Sequence, residues 1–295
     1  MEYIPAKTIV TRAKNSQWFG IEYNTNIYRG CCHGCIYCDS RSECYGIQGF
    51  DQVRAKEKAL EIIRNDLRRK VRAGVVGTGA MSDPYNPFEE KEQLTRHALE
   101  LVDAYGFGAA IATKSDGILR DIDILQQIQE HSPVLCKITV TTADDSLCQK
   151  IEPGVAVSSR RFEVLKNLGG SGLFAGILLM PVLPFLEDSE ENVREIVYQG
   201  AKSGVRFIYP YFGVTLRQNQ RQWYLDHLEQ LFPSLGLRER YQAQFGESYQ
   251  CVSPKARRLW EVFTQDCKRE GILYRMGEIT EAYKQGYQPA QLSFF

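Results

Sequence analysis

Residues 31–38 read Cys-Cys-His-Gly-Cys-Ile-Tyr-Cys. Cys31, Cys35 and Cys38 form a C-x3-C-x2-C run. Three thiolates this close on one loop can hold an iron–sulfur cluster while leaving one iron without a protein ligand. An iron with an open position can bind a substrate or cofactor directly. The competing reading is a zinc knuckle, which wants four Cys or His ligands in closed tetrahedral geometry, with His33 or Cys44 as the fourth. A structural zinc site usually pairs C-x2-C with a second, distant pair, and the spacing here favours the cluster.

The chain has 295 residues, enough for one large α/β domain or a domain with an extension. Thirty-six basic residues balance thirty-six acidic ones, so any basic surface must be local. Nine cysteines argue for metal binding rather than disulfides. Cys136, Cys148, Cys251 and Cys267 are scattered and read as buried thiols. Met1–Thr11 lacks the apolar core of a secretory signal, and no stretch is apolar enough to span a bilayer, so the expected location is the cytoplasm, with no membrane partner.

Apolar runs at Asn26–Arg29, Val75–Thr78, Gly108–Thr113, Val134–Thr141, Gly172–Met180 and Val205–Tyr209 read as strands. Helical patterns lie between them near Val53–Arg72, Lys91–Tyr105, Ile118–Glu130, Ser158–Leu168 and Ser189–Ser203. This alternation predicts an α/β fold with a parallel sheet and right-handed crossovers. The expected organisation is a lead-in over 1–24, a barrel over 25–217, a helical C-terminal extension over 218–285 and a tail over 286–295. Arg221–Phe232 and Pro254–Arg269 read as helices of the extension, which is expected to pack against the open side of the barrel.

The cysteine run resembles the signature of the radical S-adenosylmethionine (radical SAM) superfamily. The resemblance implies a partial (β/α)6 barrel of the TIM type, a 4Fe-4S cluster on Cys31, Cys35 and Cys38, and S-adenosylmethionine as cofactor. In such a barrel the chemistry sits at the C-terminal ends of the strands. There the second strand ends in Gly77-Thr-Gly-Ala-Met-Ser-Asp-Pro84 and the third in Thr113-Lys114-Ser115. Ser82 and Asp83 offer acceptors for an ammonium group, and Lys114 can neutralise a carboxylate. With Arg120-Asp-Ile-Asp123, these segments look like the spore photoproduct lyase group, which includes DNA repair photolyase-like relatives. The likeness implies cofactor contacts from Lys114 and from Thr139 on the fourth strand, and an adenine near Tyr37 and Val182–Pro184. It also implies an electron donor such as flavodoxin or ferredoxin.

Two positions depart from the lyase. Its hydrogen-donating cysteine is Ala80 here, and the tyrosine after its third cluster cysteine is Asp39. The radical-generating half is thus intact and the lyase-specific half missing, and no catalytic residue beyond the cofactor contacts is assigned. The expected reaction is reductive cleavage of S-adenosylmethionine to a 5′-deoxyadenosyl radical that abstracts a substrate hydrogen, on DNA or a nucleic-acid component. The alternatives are the same chemistry on a peptide, tRNA or small molecule, and a non-catalytic clamp-associated DNA-binding module with a structural metal.

Three further features bear on partners. Gln291-Leu-Ser-Phe-Phe295 resembles the bacterial sliding-clamp-binding pentapeptide, although its aromatics could equally tuck back onto the core. Val53–Arg72 carries Arg54, Lys56, Lys58, Arg64, Arg68, Arg69, Lys70 and Arg72, a local basic face that is either a solvated helix surface or a nucleic-acid contact. Tyr209-Pro-Tyr-Phe212 and Arg217 could stack on bases at the barrel mouth or seal it against the extension.

Overall fold

A computed structural model describes residues 1–79 and 81–287. Its main sheet has seven strands: Val10–Arg12 (β1), Tyr23–Thr25 (β2), Val75–Thr78 (β3), Gly108–Thr113 (β4), Val134–Thr139 (β5), Ala175–Leu179 (β6) and Phe207–Pro210 (β7). β2 to β7 run parallel in chain order, and β1 pairs antiparallel with β2. Crossovers are made by α1 (Ala59–Arg68), α2 (Leu94–Ala104), α3 (Ile122–Gln129), α4 (Asp145–Ile151), α5 (Ser158–Gly170) and α6 (Glu190–Lys202). Each step moves to the neighbouring strand, so the sheet curls into the partial (β/α)6 barrel.

Every residue of β5 and β6 is buried, as expected of parallel strands covered on both faces. Ile111, Cys136, Ile138, Ile177 and Leu179 pack outward against the helices. Ala110, Leu135, Leu178 and Phe207 point into the barrel. Phe19 from the lead-in and Ile279 and Tyr283 from the C-terminal end join that inner cluster. They fill the seam between the sheet's two edge strands, β1 and β7.

The extension has four helices: α7 (Gln218–Leu231), α8 (Leu237–Phe245), α9 (Ala256–Glu270) and α10 (Met276–Lys284). α7 and α8 cover the cysteine loop, with Tyr224, Leu228 and Tyr241 in one cluster with Cys35, Ile36 and Tyr37. α9 lies on α6, where Arg194 reaches Asp266 at 2.9 Å. α10 docks at the seam, where Tyr283 Oη donates to the Phe19 carbonyl at 2.6 Å. No helix among the described residues is long and apolar enough to cross a membrane.

Two expectations are corrected. The first barrel strand is Tyr23–Thr25, not Asn26–Arg29; within the latter only Tyr28–Arg29 is extended, and it pairs antiparallel with Arg54–Lys56 in a separate small sheet. The expected Val53–Arg72 helix therefore begins only at Ala59, after Lys58 turns the chain at φ 51°. The clamp-like pentapeptide Gln291–Phe295 lies outside the described residues.

Candidate functional site

The cysteine loop leaves the small sheet through Gly30, at φ 81°. A Cβ there would meet the carbonyl oxygens of Gln52 and Phe50 at 2.5 and 2.6 Å, so only glycine lets the chain turn under that strand. The Cys31 amide then donates to the Phe50 carbonyl, and the Ile36 amide to Ile151, which fixes the loop across the top of the barrel.

Cys31, Cys35 and Cys38 line one cavity of ≈ 510 Å³ with Ser82, Asp83, Lys114 and Thr139. Tyr37 lines it as well. Every cofactor contact expected from the sequence thus faces the same space as the three thiols. Among the described residues, no three His, Cys, Asp or Glu side chains converge closely enough to share one metal ion. A mononuclear zinc requires that convergence, with thiolates about 2.3 Å from one centre. In a cluster each cysteine holds a different iron, so three thiols spread around one cavity suit the larger group. Cys44 is exposed and does not line the cavity. His33 is buried and turns its Nδ1 to Asp83 at 3.6 Å.

The thiols sit in a graded field. Burial raises the Cys31 pKa, but the hydrogen bond and charge of His33 outweigh it and hold this thiol below its ordinary value. Burial pushes Cys35 and Cys38 up, against the opposing pull of the Lys114 ammonium. Burial alone would also discharge Lys114; the charge of Cys35 as thiolate and that of the ionised Glu152 oppose this and raise its pKa. The lysine is thereby kept cationic beside the cavity.

Asp83 ties the ends of β3 and β4 together. Its carboxylate accepts from Thr113 Oγ1 at 2.6 Å and from the Lys114 amide at 2.9 Å. Its first role is thus to position the lysine; with two oxygens it retains lone pairs toward the cavity. Ser82 is less engaged, 3.4 Å from the Tyr28 carbonyl. Beside them Gly79 has φ 89°, and a Cβ would come within 2.0 Å of the Ala112 carbonyl oxygen. The β3 end therefore lies flush against β4.

Tyr37 is anchored from below. Its hydroxyl bonds to Glu152, which pairs with Arg161 at 2.6 Å, and both charged side chains are almost wholly buried. Burial would raise the Glu152 pKa, but Arg161 and then Lys114 outweigh it and keep the carboxylate ionised. Arg161 also donates to the Thr139 carbonyl at 2.9 Å, which links the Tyr37 support to the β5 end. Gln220 of α7 donates to the Tyr37 carbonyl from above at 3.1 Å.

The expected adenine wall needs correction. Val182 and Leu183 are fully buried, and the cavity is lined instead by Met180 and Pro181. The far wall is formed by Tyr211, within the aromatic run expected at the barrel mouth, and by an antiparallel pair that was not expected, Gly213–Thr215 with Gln250–Val252, which joins the end of the barrel segment to the extension. The aromatic run at 209–212 divides its work: Tyr211 lines the cavity, Tyr209 packs on Trp18 and Phe19, and Phe212 packs on Phe263. Asp39 accepts from Arg217 at 3.1 Å and Tyr45 at 2.6 Å, and Arg217 donates to Tyr249, which straps the cysteine loop to the extension. Ala80 lies outside the described residues.

The radical SAM superfamily model matches residues 25–197. Relatives include the uncharacterized protein MJ0683 of Methanocaldococcus jannaschii, 30% identical over 80% of this chain and 81% of that protein. Another is the uncharacterized protein Rv2578c of Mycobacterium tuberculosis, 28% identical over 79% of this chain and 71% of that protein. This chain belongs to the radical SAM superfamily. In fold it is similar to spore photoproduct lyase complexed with dinucleoside spore photoproduct (TM-score 0.67, 15% identity, 90% of this chain and 79% of that one). The radical SAM methyltransferase TsrM of Kitasatospora setae, solved with cobalamin and a [4Fe-4S] cluster, is similar more loosely (TM-score 0.58, 10% identity, 92% of this chain and 58% of that one).

Proposed function

We propose that this protein cleaves S-adenosylmethionine reductively and uses the radical to take a hydrogen atom from DNA or a nucleic-acid component. The observation that supports it is the convergence of Cys31, Cys35 and Cys38 with Ser82, Asp83, Lys114 and Thr139 on one cavity at the strand ends. Cys31, Cys35 and Cys38 would hold a 4Fe-4S cluster there, which with S-adenosylmethionine bound would supply one-electron cleavage of a sulfonium bond. The protein's part is positioning and shielding. Lys114, kept cationic, faces a carboxylate; Ser82 and the remaining lone pairs of Asp83 face an ammonium; the buried Tyr37–Glu152–Arg161 chain holds the cavity floor rigid. The far wall of Tyr211, Thr215 and Gln250 is left for substrate.

The nucleic-acid assignment draws on the likeness to a lyase whose ligand is a dinucleoside photoproduct. An electron donor of flavodoxin or ferredoxin type would reduce the cluster. The test is anaerobic reconstitution with iron and sulfide, chemical reduction, and chromatography of the nucleoside and methionine released from S-adenosylmethionine. Wild type should release both, and Cys35→Ala neither. Unchanged cleavage by Cys35→Ala would refute the reading. Transfer of deuterium from labelled oligonucleotides into the released nucleoside tests the substrate.

A further inference from the structure

In a chain of zero net charge, most arginines outside the core have found a partner. Arg96, Arg160, Arg194, Arg238, Arg258 and Arg269 all reach a carboxylate. Five do not. Arg12, Arg64, Arg68, Arg69 and Arg72 are exposed, and among the described residues their guanidinium groups meet no carboxylate, carbonyl or aromatic ring. All five belong to one corner of the molecule, on α1, its C-terminal flank and β1. The corner is continuous: Asp66 of α1 accepts from the Ile9 and Val10 amides, and Lys70 donates to the Val10 carbonyl. Tyr23 joins the two ends of the corner: it pairs with Arg12 across β1 and β2, and its hydroxyl donates to the Arg72 carbonyl at 2.9 Å. Exposed Lys7, Lys14 and Lys58 add to the same field.

Helix energetics account for part of this only. Cations at a helix C-terminus interact favourably with its dipole, which suits Arg68 and Arg69. It gives no reason for Arg64 in mid-helix or for Arg12 on a strand. Next to Arg12 and Lys14 lies a surface hollow shared with Asn15, Ile21 and Asn24 and walled by Trp18. The Trp18 ring is 42% exposed yet held edge-on against Tyr209 and Phe19. A fixed, half-open indole bordered by unpaired cations has the chemistry of a base-stacking platform along a phosphate track. An anionic membrane is the poorer fit. A helix lying on a bilayer must present an apolar face, and Ala59, Ile63 and Leu67 of α1 are all buried in the protein core.

We infer that this corner is a docking face for the sugar–phosphate backbone of single-stranded nucleic acid, separate from the catalytic cavity. What the face is for rests on the nucleic-acid reading of the substrate; the charge pattern stands without it. Five phosphate contacts give a slope of log affinity on log salt of about −3.5 for a single strand. Affinity should therefore fall about a hundredfold between 50 and 200 mM salt. Losing three contacts should flatten the slope by about two.

The experiment uses the full-length, cluster-loaded protein and a fluorescein-labelled, mixed-sequence single-stranded DNA oligonucleotide, read by anisotropy across that salt range. The triple variant R68A/R69A/R72A should bind at least tenfold more weakly at the lowest salt, with the flatter slope and a thermal midpoint lowered by no more than a few degrees, as the lost helix-dipole contacts require. Its S-adenosylmethionine cleavage without DNA should equal that of wild type. An undetectable wild-type complex, an unchanged affinity or slope in the variant, or stronger binding to phosphatidylserine vesicles than to the oligonucleotide would each overturn the inference. Absence of cleavage in both proteins would instead count against the enzymatic proposal, whatever the oligonucleotide does.

Discussion

Lys137 sits in the middle of β5 and points into the barrel, one layer below Thr139. It is 2% exposed, and among the described residues its only polar contact is the face of Phe19, with Nζ 5.0 Å from the ring centroid. Burial depresses its pKa from 10.5 to about 7, with a small opposing pull from Cys136. A lysine that releases its proton on folding destabilises the fold wherever the unfolded chain stays protonated and the folded one does not. The penalty is absent above pH 10.5, grows as pH falls toward 7, and is constant below that. Its full size, from the two pKa values, is on the order of 5 kcal/mol at the upper limit. Water penetration and the lost cation–π contact, about 1 kcal/mol, reduce what a substitution recovers. Lys137→Met keeps the volume and removes the charge. It should raise the unfolding free energy by about 2–4 kcal/mol at pH 7, and this gain should shrink by more than half at pH 9.5. Urea denaturation of both proteins at the two pH values measures it. An unchanged or lower stability at pH 7, or a gain that ignores pH, would show that the amine is solvated or paired and refute the reasoning.

Three other outcomes follow from the site. Arg161→Met strands a buried Glu152 and should cost about 3–5 kcal/mol in denaturant unfolding, whereas the double variant with Glu152→Leu should recover most of it. Gly79→Ala places a Cβ 2.0 Å from the Ala112 carbonyl at positive φ, and should lower stability by about 2–4 kcal/mol in the same assay and weaken S-adenosylmethionine binding in equilibrium dialysis. The Tyr211 hydroxyl is buried with no partner among the described residues, so Tyr211→Phe should change the stability of the ligand-free protein by less than about 1 kcal/mol; a larger loss would reveal a structural hydrogen bond.

The cofactor half of the site was legible because its residues are local to strand ends. Three cysteines share one loop, and Ser82, Asp83, Lys114 and Thr139 follow apolar runs whose burial marks them as strands. The far wall was legible only at Tyr211, in the aromatic run placed at the barrel mouth. Thr215 and Gln250 reach the cavity through a two-stranded pairing across 35 residues, and nothing in their own segments is periodic. Glu152 and Arg161 were hidden for a different reason. Each looks like an ordinary helix-surface charge in sequence, and only their mutual burial beneath Tyr37 sets them apart. The first strand was misplaced because Tyr23-Asn-Thr25 is polar, while the apolar Ile27 and Tyr28 just beyond it are buried in the small sheet instead. The extension was expected on the open side, but its last helix, α10, escaped notice, since Met276–Lys284 follows the breaker Gly271 and spans only nine residues.

The central claim is that three cysteines hold a cluster with one iron left open. Electron paramagnetic resonance of the anaerobically loaded, reduced protein tests it most directly. The account predicts a 4Fe-4S signal that changes on adding S-adenosylmethionine and is lost in Cys35→Ala. A protein that retains only zinc, or a cluster signal indifferent to S-adenosylmethionine because a fourth side chain closes the site, would contradict it.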